Sequence, residues 1–127
     1  MGDSKMKTHI GTDIIEVKRI ESALNDEKFK LRVYTDKEIQ YCESKGNKTK
    51  FQHYAARFAG KEAVYKALSP WLKDKYEISW KNIEIVNDKR GRPIVNLIGA
   101  EINNIDIDVS LSHVKENAIA TAVATGE

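Results

Sequence analysis

The sequence predicts a single α+β domain, with helices mostly in its first half and strands mostly in its second. Three observations carry this. Helical periodicity concentrates between Thr35 and Leu68, two-residue alternation runs from Ile105 to Leu111, and two short apolar runs flank the polar stretch Asn87 to Pro93. The 127 residues match one ordinary domain and are too few for two independent cores. Apolar residues make up 41% and charged residues 31%, with two prolines and seven glycines, which excludes a disordered or collagen-like chain. No apolar run approaches the ~18 residues of a membrane helix, and no apolar signal-peptide core follows Met1. Cys42 is the single cysteine, so an internal disulfide framework and a multi-cysteine metal site are both excluded. This usage points to a reducing, cytoplasmic home, with Cys42 a small apolar filler.

Residues 1–7 are polar and patternless and are expected to form a disordered N-terminus or to be a cloning remnant, leaving 8–127 as the domain. From His9 to Val17 the chain turns β-branched and apolar. A strand there places Ile10, Thr12 and Ile14 on one face and Gly11, Asp13 and Ile15 on the other. Val17, Ile20 and Leu24 then suit a short helix. Thr35-Asp36-Lys37-Glu38 has the form of a capping box, which starts a helix that stops near Gly46. A longer helix runs from about Lys50 to Leu68 and ends before Ser69-Pro70, because proline disfavours a helical residue before it. The runs around Ile83–Val86 and Ile94–Leu97 read as a β-hairpin across the Gly91 turn. Ile105, Ile107, Val109 and Leu111 alternate with polar residues, as in a half-buried strand. Ala118–Val123 is apolar on both faces, as expected of a central strand, with Val114–Asn117 connecting the two.

The 21 basic and 19 acidic side chains leave a net charge of +2, weaker than a dedicated nucleic-acid binder carries. Lys18, Arg19, Lys28, Lys30 and Arg32 crowd one region, broken by Glu21, Asp26 and Glu27. The cluster is either a solvated surface or a docking patch for an acidic partner.

Three segments carry polar residues where the pattern expects apolar ones. On the long helix, Phe51, Tyr54, Ala55, Phe58 and Tyr65 form one stripe, and Glu62 projects into it. A desolvated carboxylate requires a cation, a proton or a cavity. Lys66, one turn on, is a candidate partner at i,i+4. Asp13 interrupts the first strand beside Gly11, a position typical of strand edges or of close ligand approach. Asp13 and Glu62, from different elements, are together able to share one hard cation such as Mg²⁺. Ser110-Leu111-Ser112-His113 closes the alternating strand with hydroxyls and an imidazole, either a surface histidine or part of a ligand site.

Taken in order, these segments resemble the holo-[acyl-carrier-protein] synthase family of 4'-phosphopantetheinyl transferases. Gly11-Thr12-Asp13 with Arg19 is similar to the family's Gly-x-Asp segment. Arg57-Phe58-Ala59-Gly60-Lys61-Glu62-Ala63-Val64-Tyr65-Lys66-Ala67 resembles its central Arg-Phe-Ala-x-Lys-Glu-Ala-x-x-Lys-Ala helix, with Gly60 where an alanine is expected. Ser110-Leu111-Ser112-His113 and the Gly91-Arg92-Pro93 turn are also similar.

The resemblance implies helices packed on a mainly antiparallel sheet, an active site at a subunit interface, and a homotrimer. It implies transfer of 4'-phosphopantetheine from coenzyme A to a serine of the acidic apo acyl carrier protein in fatty acid biosynthesis, releasing adenosine 3',5'-bisphosphate. By the same analogy Asp13 and Glu62 are Mg²⁺ ligands, and Lys66 stabilises or protonates the leaving group. The serine proton goes to Glu62 or to a water held by the metal. His113, with Arg57 and Lys61 as weaker contacts, faces coenzyme A phosphates, and Arg19 meets the carrier protein.

Two other classes make different demands. A non-catalytic module docking an acidic protein needs Lys18, Arg19 and Arg32 but has no use for Glu62. Nucleic-acid binding fits poorly, because no aromatics interleave with the lysines.

Overall fold

The computed structural model describes residues 5–127. Strand β1 (Lys7–Glu16) runs directly into helix α1 (Val17–Ala23), followed by α2 (Glu27–Val33), α3 (Asp36–Glu43) and the long α4 (Lys50–Leu68). The hairpin β2 (Ile83–Asn87) and β3 (Pro93–Leu97) precedes β4 (Ile105–His113) and β5 (Asn117–Gly126). Three-residue 3₁₀ turns follow α4 at Ser69–Trp71 and precede β2 at Trp80–Asn82. The expected irregular N-terminus ends earlier than 7, because Lys7 already pairs with Gly126; its residues 1–4 lie outside the described part.

β5 is the central strand of a three-stranded sheet, ordered β1-β5-β4 and antiparallel throughout. The hairpin forms a separate two-stranded sheet. α4 packs across β1, β5 and β4, with α1, α3 and β2 around its other sides. Thr35 and Glu38 form the predicted capping box at the start of α3. α3 stops at Glu43, three residues before Gly46 turns the chain at φ 79°. α2 is an addition to the expected elements. Asp26 caps it through the Lys28 amide, Glu27 occupies its first turn, and Lys30 and Arg32 its last, as the helix dipole favours.

The deepest face of α4 differs from the expected aromatic stripe. Ala56, Ala59, Ala63 and Ala67 are buried against Ala118, Ala120, Ala122 and Ala124 of β5. Alanines contribute weakly to a hydrophobic pattern, yet their small side chains permit the closest helix-to-sheet approach. That approach leaves no room at Gly11, where a Cβ would fall on the Ala63 carbonyl oxygen. The Phe58, Glu62 and Tyr65 part of the stripe consequently lies half-buried at the rim of the core.

The other face of the sheet carries an uncovered apolar patch among threonines and the polar side chains of β4. Ile10 and Ile14 of β1 are 69% and 66% exposed, beside Ile119 and Val123 of β5. The expected two-faced partition of β1 holds, but its most apolar face points away from the core.

Candidate active site

Asp13 and Lys66 form an ion pair between β1 and α4. Gly11 brings β1 against the C-terminal half of α4, so Asp13, two residues on, flanks the same helix. The Asp13 carboxylate lies 3.4 Å from Lys66 Nζ, which also donates to the Thr12 carbonyl at 3.0 Å. Glu62 sits one turn before Lys66 on α4. The expected Glu62–Lys66 pair does not form, because Lys66 turns to β1 and Glu62 turns to the hairpin side. Glu62 Oε1 accepts a hydrogen bond from the Trp80 indole at 2.9 Å. Oε2 has no hydrogen-bond partner among the described residues. Glu62 borders a largely apolar cavity of about 400 Å³, lined also by Tyr65, Tyr76, Ile78, Trp80 and Ile83. The cavity answers how Glu62 tolerates an aromatic helix face.

This donor set suits a hard cation. Asp13 pairs with the Lys66 ammonium, and Glu62, one turn before that lysine, is not sealed in the core and leaves Oε2 unbonded among the described residues. Among the described residues no group of three or more His, Cys, Asp or Glu gathers as a complete protein cage. Two carboxylates match the Mg²⁺ habit of leaving positions to water and phosphate oxygens.

Lys61 is corrected from an expected phosphate contact to a core residue. Its side chain is wholly buried, with Nζ 2.7 Å from Glu38 Oε1 and donating to the carbonyls of Trp80 and Ile83. Burial pulls the Lys61 ammonium below its ordinary pKa, and the Glu38 charge opposes that pull. Glu38 also accepts the Thr35 and Ile85 amides, so the capping-box carboxylate is fully engaged. Arg57 is likewise turned inward, 3% exposed, stacked 4.2 Å from the Tyr41 ring centroid and donating to Asn87. A phosphate on the surface of this chain meets neither head group directly.

His113 is exposed, 2.9 Å from Gln52 Oε1 through Nδ1, with its ring 5.0 Å from that of His53. Burial, then the charges of His113, Lys45 and Arg57, push the pKa of His53 down to about 4. Gln52 and Glu62 stand ten residues apart on α4, about 15 Å along the axis. Within one chain His113 and the carboxylate pair are therefore separate. Arg19 is exposed on α1. Lys30 of the same basic cluster instead pairs with Glu43 at 3.8 Å.

Trp80, Gln52 and the aromatic cavity wall were absent from the expected site. Trp80 lies in an irregular segment without periodicity, and its isolated indole in a polar stretch was the available signal.

Residues 9–124 match the model of the 4'-phosphopantetheinyl transferase superfamily. The chain belongs to that superfamily. A holo-[acyl-carrier-protein] synthase of Clostridium tetani is 42% identical, over 93% of this chain and 95% of that protein. One from Ruminiclostridium cellulolyticum is 44% identical, over 93% and 92%. The Bacillus anthracis holo-(acyl-carrier-protein) synthase, solved in complex with CoA (3',5'-ADP), superposes with a TM-score of 0.79 at 35% identity, covering 94% of this chain and 96% of that one. The Helicobacter pylori enzyme in complex with coenzyme A gives 0.75 at 32%, covering 91% and 98%. Both the antiparallel sheet and the long central helix are thus those of a phosphopantetheinyl transferase superfamily member.

Proposed function

We propose that this chain transfers 4'-phosphopantetheine from coenzyme A to a serine of apo acyl carrier protein, as a Mg²⁺-dependent holo-[acyl-carrier-protein] synthase. The observation that supports the reading is the Asp13–Lys66 ion pair, with Glu62 one helical turn before that lysine and its Oε2 unbonded among the described residues. Relatives named for this activity, aligned over nearly the whole chain, support it.

The reaction joins the serine oxygen to the β-phosphorus of coenzyme A and breaks the phosphorus–oxygen bond to adenosine 3',5'-bisphosphate. Asp13 and Glu62 would hold Mg²⁺, which supplies charge neutralisation at the diphosphate. The Lys66 ammonium, exposed and held among the described residues by Asp13 and Thr12, is free to turn to the leaving oxygen and stabilise or protonate it. The serine proton would go to Glu62 or to a water beside it.

A site that uses both His113 and Glu62 requires two copies, because one chain keeps them apart. The uncovered face of Ile10, Ile14, Ile119 and Val123 provides a surface for such an assembly, read here as a homotrimer. His113 of one copy would then meet the coenzyme A phosphates beside Glu62 of another. Arg19, exposed on α1 with Lys18, would receive the acidic carrier protein. We read residues 8–127 as the transferase domain and its setting as cytoplasmic, serving fatty acid biosynthesis. No helix among the described residues is long and apolar enough to cross a membrane.

Incubation with coenzyme A, Mg²⁺ and apo carrier protein should add one phosphopantetheine mass to the acceptor, read by intact-protein mass spectrometry. Asp13→Ala and Glu62→Ala should each abolish that gain while the melting temperature stays close to the parent value. Full transfer by both variants would remove the assignment.

A further inference from the structure

We propose that Trp80 is the positioning residue of Glu62, and that the buried Lys61 acts on the site only by fixing Trp80. The inference rests on the reading of Glu62 as a cation ligand and adds what holds that ligand in place.

Glu62 extends from α4 at the rim of the core, with three side-chain torsions and a cavity beside it. Left alone, such a carboxylate samples several rotamers, and each ordering event on ligand binding costs entropy. The Trp80 indole N–H removes much of that freedom by holding Oε1 at 2.9 Å. Indole donates one hydrogen bond and accepts none, so it cannot compete for a cation. It also fixes which carboxylate oxygen remains for the ligand: Oε2.

Trp80 is itself held on three sides. Its ring lies against Phe58 at 5.7 Å between centroids. Its carbonyl accepts from Lys61 Nζ at 3.0 Å. Its 3₁₀ turn is closed by Ser79 and Asn82, the Ser79 amide donating to Asn82 Oδ1 at 2.7 Å, and Asn82 Nδ2 reaches the Ile98 carbonyl at 2.8 Å. Lys61 and Glu62 are adjacent on α4 and point to different sides of this turn. One helical segment therefore grips the turn from behind with the lysine and receives its indole in front with the glutamate. Lys61 touches neither the cavity nor solvent, which leaves support of the turn as its route to the chemistry.

The test uses the full chain with Mn²⁺ as the probe. Trp71→Phe leaves Trp80 as the only tryptophan, so its emission reports on the site alone. Mn²⁺ should quench that emission at the concentrations where electron paramagnetic resonance shows the ion binding. Trp80→Phe, in the otherwise unsubstituted chain, should weaken Mn²⁺ binding about 10- to 100-fold, as loss of a carboxylate-orienting partner does. It should raise the Mg²⁺ needed for half-maximal transfer to match, with KM for coenzyme A unchanged and kcat restored by excess Mg²⁺. Lys61→Met should move Mn²⁺ affinity in the same direction, and Trp80→Phe keeps the proposal testable if that variant fails to fold. Parent-like Mn²⁺ affinity in Trp80→Phe, with the parent binding normally, overturns the inference alone. Absence of Mn²⁺ binding by the parent overturns the cation reading of Glu62, and the inference with it.

Discussion

A lysine with no solvent exposure lies within the core of this chain, and three acceptors explain its tolerance. Lys61 trades hydration for Glu38 and two carbonyls. Removing one member of such a pair strands the other. Lys61→Ala is therefore expected to cost about 3–5 kcal/mol, a fall in melting temperature of roughly 10–20 °C by calorimetry. Adding Glu38→Gln should recover part of the loss, since the stranded charge goes with it. His53 makes a second prediction. Its folded pKa of about 4 lies below the ordinary 6.5. Above pH 6.5 the histidine is neutral in both states. Between 6.5 and 4 the unfolded chain takes up a proton that the folded chain refuses, so stability falls as pH falls through that window. His53→Gln should flatten the melting temperature against pH there, and an unchanged slope would reject the account. Asp13 and Glu62 stood out in the sequence because each broke a local pattern, and Lys66 entered as the i,i+4 neighbour of Glu62. Lys61 and Arg57 stood inside the same motif, and nothing in linear spacing shows that one helix face is sealed by the hairpin.

At the scale of elements, the fit between β1 and α4 decides where the candidate site forms. Gly11→Ala places a methyl on a backbone carbonyl, which neither strand nor helix can move away cheaply. Gly60→Ala meets only the side-chain ends of Ile85 and Leu111, at 2.5 and 2.9 Å, and gains ~1 kcal/mol of helix propensity. Urea unfolding should therefore rank Gly11→Ala as the more damaging, by several kcal/mol, with Gly60→Ala within about 2 kcal/mol of the parent. Helices α3 and α4, the hairpin, β4 and β5 were legible because capping, length and apolar patterning each point one way. α2 was hidden in a charge-rich stretch where Phe29 and Val33 supply too few apolar repeats. The aromatic stripe misled about the deepest face because alanine rows carry little hydrophobic signal and pack closest.

For the whole molecule, the uncovered sheet face and the divided site make one joint expectation. Ile10→Lys with Ile14→Lys should shift the assembly to monomers by light scattering. Transfer should fall with the assembly, although each chain keeps its own Asp13, Glu62 and Lys66. A monomer with parent activity would reject the shared-site reading. The alternation of β5 has a further consequence for how this chain tolerates change. Ala118, Ala120, Ala122 and Ala124 act as spacers that set the gap beneath α4, so a saturation library should accept only the smallest side chains there in any selection for folding. At Ile119, Thr121 and Val123 the same library should be permissive in a folding screen and restrictive in a growth selection, and the two readouts would map the inner and outer sides of one strand.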